Sequence, residues 1–186
     1  TATGPEIKVT GIEKQDSVIL RVIPSRESVL VDEPFDIVIC LAVRRLPAPY
    51  AGYDPFTPDA PPHVSALPLN PDVPEGLKSP DIRQTLQPVV AGDGAPGFTL
   101  NNYVAQSDPF DFESMFRLDD RMKSRPIKFI FPKRLITTNN TEYIEYFISR
   151  RYTPAQEGIY TFDAATFKGS IMTGVTQDKQ PILRQL

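Results

Sequence analysis

The chain has 186 residues, with 20 Lys and Arg against 23 Asp and Glu, a formal net charge of −3 and a pI near 5.2. That length supports one well-cored domain, and its scattered basic residues disfavour nucleic acid or an anionic membrane surface as a partner. The 20 prolines, about twice the usual usage of roughly 5%, argue against long helices, and no stretch reaches the roughly 18 consecutive apolar residues of a membrane span.

The opening third reads as strands. "DSVILRVIPS" and "ESVLVDEPFDIVICLAV" are rich in Val and Ile and are broken by Pro24-Ser25 and by Asp32-Glu33-Pro34, which carry turn chemistry. Phe35, Ile37, Ile39, Leu41 and Val43 form one alternating face, while Val38, Cys40 and Ala42 share the other with Asp36. Apolar residues on both faces predict a central strand. The lone cysteine cannot form a disulfide within the chain, and inside such a run it reads as a small buried hydrophobe.

From Leu46 to Pro96 the character changes, with 12 prolines in the stretch. This is too many for a packed element and too apolar for a plain flexible linker, so 47–96 reads as a proline-rich excursion from a single domain spanning 1–186. Tyr50, Tyr53, Phe56, Leu67, Leu69 and Leu77 offer it a way to lie against the domain, and "DIRQTLQPVV" is expected to supply one strand. Disorder over part of the excursion is the alternative reading.

"GFTLNNYVA" then gives a strand through Phe98, Leu100 and Tyr103. "SDPFDFESMFRLDDRM" follows, where Asp108 before Pro109 predicts an N-cap and a short helix or turn. The last third is again β: "RPIKFIFPKRLIT" alternates around Ile127, Phe129 and Phe131, Asn139-Asn140 marks a turn, and "NNTEYIEYFISRRYTP" and "GIYTFDAATFKGSIMTG" supply further strands. The pairs Arg44-Arg45 and Arg150-Arg151 read as strand-end or solvent-face charges. Eight or nine short strands with at most one or two short helices predict an all-β fold, an immunoglobulin-like antiparallel β-sandwich.

"QEGIYTF" strengthens this, because an acidic residue followed by Gly-x-Tyr has the form of the immunoglobulin-type tyrosine corner. Tyr160 would be the corner residue, its hydroxyl bonding back to backbone, on a strand with Phe162 while Ile159, Thr161 and Asp163 face the other way. Phe162 would stand where disulfide-bearing relatives place cysteine.

Together, "VIPSRESVLVDEPFDIVICLAVRRLP" and "YIEYFISRRYTPAQEGIYTFDAATFKGSIMTG" resemble β-domains of the bacterial BatD family, the aerotolerance or oxygen-tolerance proteins. Pro24, Glu33, Phe35, Leu46, Pro47, Pro154, Gly158 and Phe162 carry the likeness, which covers the two ends of the chain, and "SDPFDF" is similar to an Asp-Pro-Phe segment met in that family. The long excursion departs from the family's pattern. The resemblance implies an extracytoplasmic domain, in the periplasm or cell envelope, of a membrane-anchored protein beside partners with von Willebrand type A domains. It implies no catalytic residues.

No reaction centre emerges from the residues themselves. The acidic cluster Asp108, Asp111, Glu113, Asp119 and Asp120 lacks the glycine-centred spacing of a calcium loop and reads as a solvated helix face and cap. One Cys and one His cannot make a structural zinc site, and His63 sits in a proline-rich stretch far from Cys40, so a thiol nucleophile is disfavoured. "GDGAPG" lacks the lysine and helix of a phosphate loop and reads as a turn. "NNT" at Asn139 satisfies a glycosylation acceptor pattern, which matters only in a eukaryotic secretory path. The expectation is therefore no enzyme and no cofactor or metal, but an interaction or assembly module of a bacterial envelope protein. Its partners would be other envelope proteins, with no direct membrane insertion of this segment. The alternative is a domain acting on or binding cell-envelope polysaccharide, with the acids at 108–120 contributing carboxylates.

Overall fold

The computed structural model describes residues 17–56, 60–92, 94–105 and 125–172. The Val- and Ile-rich opening forms β1 (Val18–Pro24) and β2 (Phe35–Arg44), paired antiparallel from Val18↔Val43 to Pro24↔Ile37. The turn between them uses Asp32 at φ 63°, a left-handed conformation that Asp tolerates better than most residues. As the apolar pattern on both faces requires, β2 is central. Phe35, Ile37, Ile39, Leu41 and Val43 are buried on one side, and Cys40 and Ala42 on the other.

The proline-rich stretch does not merely lie over this framework. It supplies β3 (His63–Ser65), a single 3-10 turn at Leu67–Leu69, β4 (Leu77–Lys78), the short helix α1 (Ile82–Leu86) and a second 3-10 turn at Gln87–Val89. Val64, Leu69, Leu77, Ile82 and Leu86 enter the core. Its prolines sit between these pieces or, as Pro68 and Pro88, within the two 3-10 turns, which is why each piece is short. The segment 81–90, expected as a strand, is helical from Ile82 to Val89 instead, and only Val90 makes a β-bridge, to Phe129. Asp81 caps it by accepting from Arg83 N at 2.9 Å, and Ile82 and Leu86 lie four residues apart on one buried face.

β5 (Phe98–Ala105) and β6 (Arg125–Phe129) pair antiparallel with a register shift between Thr99 and Val104. "RPIKFIFPKRLIT" is not one strand but two. After Phe129 the chain leaves one sheet, passes Ile130–Pro132 and enters the other as β7 (Lys133–Thr138). Pro132 cannot donate to a ladder, and its carbonyl accepts from Phe147 N at 3.0 Å. β7 turns through Asn139 and Asn140, both at positive φ (50° and 59°), into the 14-residue β8 (Thr141–Pro154). Two consecutive left-handed residues are what a type I′ hairpin needs, and Asn is suited to both places.

The result is an all-β sandwich. One sheet runs β1-β2-β8, and the far edge of β8 is shared between β7 at its start and β4 at its end. The second sheet runs β6-β5-β3-β9, with β9 at Thr166–Lys168. Every pairing is antiparallel except β3 with β5. Ile39, Leu41 and Ile148 from the first sheet meet Val64, Leu100 and Phe129 from the second in one core.

Two buried ions lie outside what the sequence suggested. Arg150, expected on a solvent face, is 1% exposed and points into the core side of β8. Its Nε donates to Ser79 Oγ at 2.8 Å, and Nη1 donates to Pro68 O at 3.0 Å and to Asn70 O. It thereby ties β8 to the excursion, while its neighbour Arg151 stays exposed and pairs with Asp36. On the opposite face of the sheet, Glu145 is also 1% exposed, held by Arg21 of β1 at 2.9 Å and Arg134 of β7 at 2.6 Å. Both charges are compensated by several hydrogen bonds, the condition under which burial of an ion is tolerated.

Candidate functional site

Two surface features at opposite ends of β2 and β8 stand out. At the end where β2 runs out, Arg45 donates to Ala51 O at 2.8 Å and pairs with Glu142 at 2.8 Å, which fixes the start of the excursion against β8. Tyr50 and Tyr53 project from this loop with ring centroids 6.2 Å apart. Phe56 follows, anchored by a bridge to Ile171 and by Met172 N donating to Pro55 O at 2.7 Å. These residues wall a half-open cleft of ≈ 710 Å³.

The cleft floor is aromatic. Phe98 and Phe131 stack at 4.7 Å and 7°, and Tyr146 meets Phe98 edge-on at 5.1 Å. Gly97 permits this close approach of β5 to β6, since a Cβ there would lie 2.9 Å from Phe129 O. Pro61, Pro62 and Pro96 line the sides, with Lys128, Ile130 and Lys133 along the remaining wall. Asp54 is the one acid among the described residues of the lining, and it is already engaged. It accepts from the Tyr146 hydroxyl at 2.9 Å, from Phe56 N at 3.2 Å and from Lys133 Nζ at 3.4 Å. Burial, reinforced by the Asp54 carboxylate, pushes the Tyr146 phenol far above its ordinary range. It is a fixed donor rather than a base.

The other end is built from two loops, 25–34 between β1 and β2 and 155–165 after β8. Asp32 N donates to Pro154 O at 2.9 Å, joining them. The tyrosine corner is present: the Tyr160 hydroxyl lies 2.8 Å from Gln156 O, four residues upstream, and 3.1 Å from Gly76 O. Gly76 adopts φ 81°, and a Cβ on it would stand 2.8 Å from that hydroxyl. The expected strand through 159–163 does not form, because these residues have no ladder partner and β9 begins only at Thr166. The corner bond and Phe162, which packs 5.2 Å from Tyr152 and 6.2 Å from Phe35, hold the segment instead.

Between the loops runs a groove of ≈ 670 Å³, and its rim carries large apolar side chains turned to water. Ile159 is 97% exposed and Leu30 75%, with Val31 and Ile23 also exposed nearby in the chain. Exposed aliphatics grouped on well-held loops mark an interaction surface more than solitary ones do. Arg26 pairs with Glu33 across the first loop, whereas Glu27 and Glu157, both lining the groove, form no ion pair among the described residues.

Of the residues singled out in the sequence, Cys40 is buried and its thiol is pushed up by burial and by Glu145, with Arg21 and Arg134 opposing. That is the reverse of what a nucleophile needs. His63 belongs to β3 in the other sheet, its Nδ1 3.0 Å from Thr99 Oγ1. The Gly92–Gly97 segment includes a turn closed by Ala95 N on Gly92 O at 3.1 Å. The acidic cluster at 108–120 and the helix expected there lie outside the described residues. Among the described residues, no group of three or more His, Cys, Asp or Glu is arranged to hold a metal. Compared with known proteins, the chain matches no family model, no curated protein and no solved structure.

Proposed function

We propose that this chain is a noncatalytic, extracytoplasmic interaction or assembly module of a bacterial envelope protein, BatD-like in kind, and that the two-loop end is its docking surface. The observation that carries this reading is the set of exposed aliphatics, Leu30, Val31 and Ile159, on loops fixed by the Tyr160 corner and the Asp32–Pro154 bond. Rigid apolar side chains lose little entropy on docking, so their burial is realised as affinity. The residues behind the BatD resemblance support the same surface. Pro24, Phe35, Pro154, Gly158 and Phe162 come from both ends of the sequence and line this one groove.

The charge pattern describes the partner: an apolar recess bordered by basic groups that would meet Glu27 and Glu157. Envelope proteins with von Willebrand type A domains are the partners the resemblance favours. The test is chemical crosslinking of the parent protein in its host's envelope, followed by purification and mass spectrometry, for the native chain and for a Leu30→Glu, Ile159→Glu double variant. A protein partner recovered with the first and lost with the second supports the reading. Retention of cell-wall glycan with no protein partner would move the assignment to polysaccharide binding.

A further inference from the structure

The aromatic cleft at the opposite end has a chemistry of its own. Its volume, ≈ 710 Å³, falls within the roughly 300–1,000 Å³ of small-molecule sites, and its floor of Phe98, Phe131 and Tyr146 has no charge to satisfy. Two of the three charged groups among the described lining residues, Asp54 and Lys133, are joined to each other, and Lys133 also stands 5.8 Å over the Tyr146 ring. Lys128 is different. Among the described residues it forms no ion pair, and its one side-chain hydrogen bond is a long 3.4 Å contact to Ala95 O. Among the described residues the cleft therefore carries one uncompensated positive charge at the edge of an apolar surface.

Its backbone argues against an extended peptide as occupant. Pro61, Pro62 and Pro96 have no N–H to offer, and the outer edge of β6 is already occupied. Ala91 N donates to Lys128 O at 2.8 Å, and Ile130 N donates to Val89 O at 2.6 Å. Strand addition requires such groups to be open. A ligand that needs only apolar contact and one counter-charge fits better.

We propose that the cleft binds a small anionic amphiphile, with an acyl or aromatic body over Phe98, Phe131 and Tyr146 and its single negative group on Lys128. The site is separate from the docking loops, so either assignment can fail without the other.

Isothermal titration calorimetry with sodium dodecanoate, kept below its aggregation threshold, tests this on the native chain and on Lys128→Met and Lys128→Glu, with dodecyltrimethylammonium as the cationic counterpart. Thermal midpoints of the variants serve as the folding control, and Leu30→Glu as the control at the other end. The native protein is expected to bind dodecanoate in preference to the ammonium compound. Lys128→Met should weaken dodecanoate roughly three- to fivefold, the scale of a lost partly screened charge pair, Lys128→Glu should weaken it further and favour the ammonium compound, and Leu30→Glu should leave both unchanged. No dodecanoate binding, equal affinity for both head groups, or identical affinity across the Lys128 variants would overturn the proposal. So would binding of an acidic peptide where dodecanoate fails.

Discussion

Replacing Tyr160 with Phe removes a single oxygen from the junction that holds the proposed docking loops. The hydroxyl has one proton to share between Gln156 O at 2.8 Å and Gly76 O at 3.1 Å, so one hydrogen bond is at stake rather than two. The acceptors left behind are not stranded. Gly76 O still receives Ala155 N at 2.8 Å, and Gln156 is exposed, so its carbonyl can turn to water. The penalty for an orphaned buried acceptor therefore does not apply, and the cost is the net value of one bond, about 1 kcal/mol. For a chain of this size that corresponds to a fall in thermal midpoint of about 2–4 °C. Differential scanning calorimetry of the two proteins decides it. An unchanged midpoint would refute the claim that the hydroxyl anchors the 155–165 loop.

Two further outcomes follow from the buried polar groups. Arg150→Ala should destabilise by about 3 kcal/mol or more, measured by urea denaturation, because it opens a cavity and strips Asn70 O of the Arg150 bond while Pro68 O keeps the Tyr152 hydroxyl at 2.8 Å. Burial raises the pKa of Tyr103, Tyr146 and Tyr152, and all three phenols donate to fixed acceptors. Below the unfolded value of about 10, folded and unfolded chains both keep these protons and the stabilisation is complete. As pH rises past it, the unfolded chain releases protons that the native one retains, so stability should fall progressively into the alkaline range. Urea midpoints between about pH 8 and about pH 11 should show this fall, and Tyr146→Phe should make it shallower. A flat profile in the native protein would contradict it.

The strand grammar was legible where an element was long enough to show a period. The two-faced pattern of β2 announced a central strand, Asn139-Asn140 announced its hairpin, and "QEGIY" announced the corner bond. Elements of two or three residues, such as β3 and β4, are too short for alternation to register, so the excursion's share in both sheets was invisible. At 81–90 local chemistry competed: the β-prone Val89-Val90 suggested a strand, but Asp81 and the spacing of Ile82 and Leu86 favoured a turn of helix. Arg150 and Glu145 look like surface charges in sequence because the groups that satisfy them arrive from far away. Pro68 lies 82 positions from Arg150, and Arg21 lies 124 from Glu145. The cleft was unreadable for the same reason. Tyr50, Tyr53 and Phe56 stand out in the sequence only as a way for the excursion to lie against the domain; the floor comes from Phe98, Phe131 and Tyr146, and only the folded sandwich brings them together.

The proposed docking role of the two-loop end is tested most directly by placing a photocrosslinking amino acid at position 159 and, as a control, at the exposed Leu135 on β7, in living cells of the protein's host. A discrete protein adduct is expected from position 159 that is absent from 135 and is lost when Leu30→Glu is added. No protein adduct from 159, or the same adducts from both positions, would contradict it.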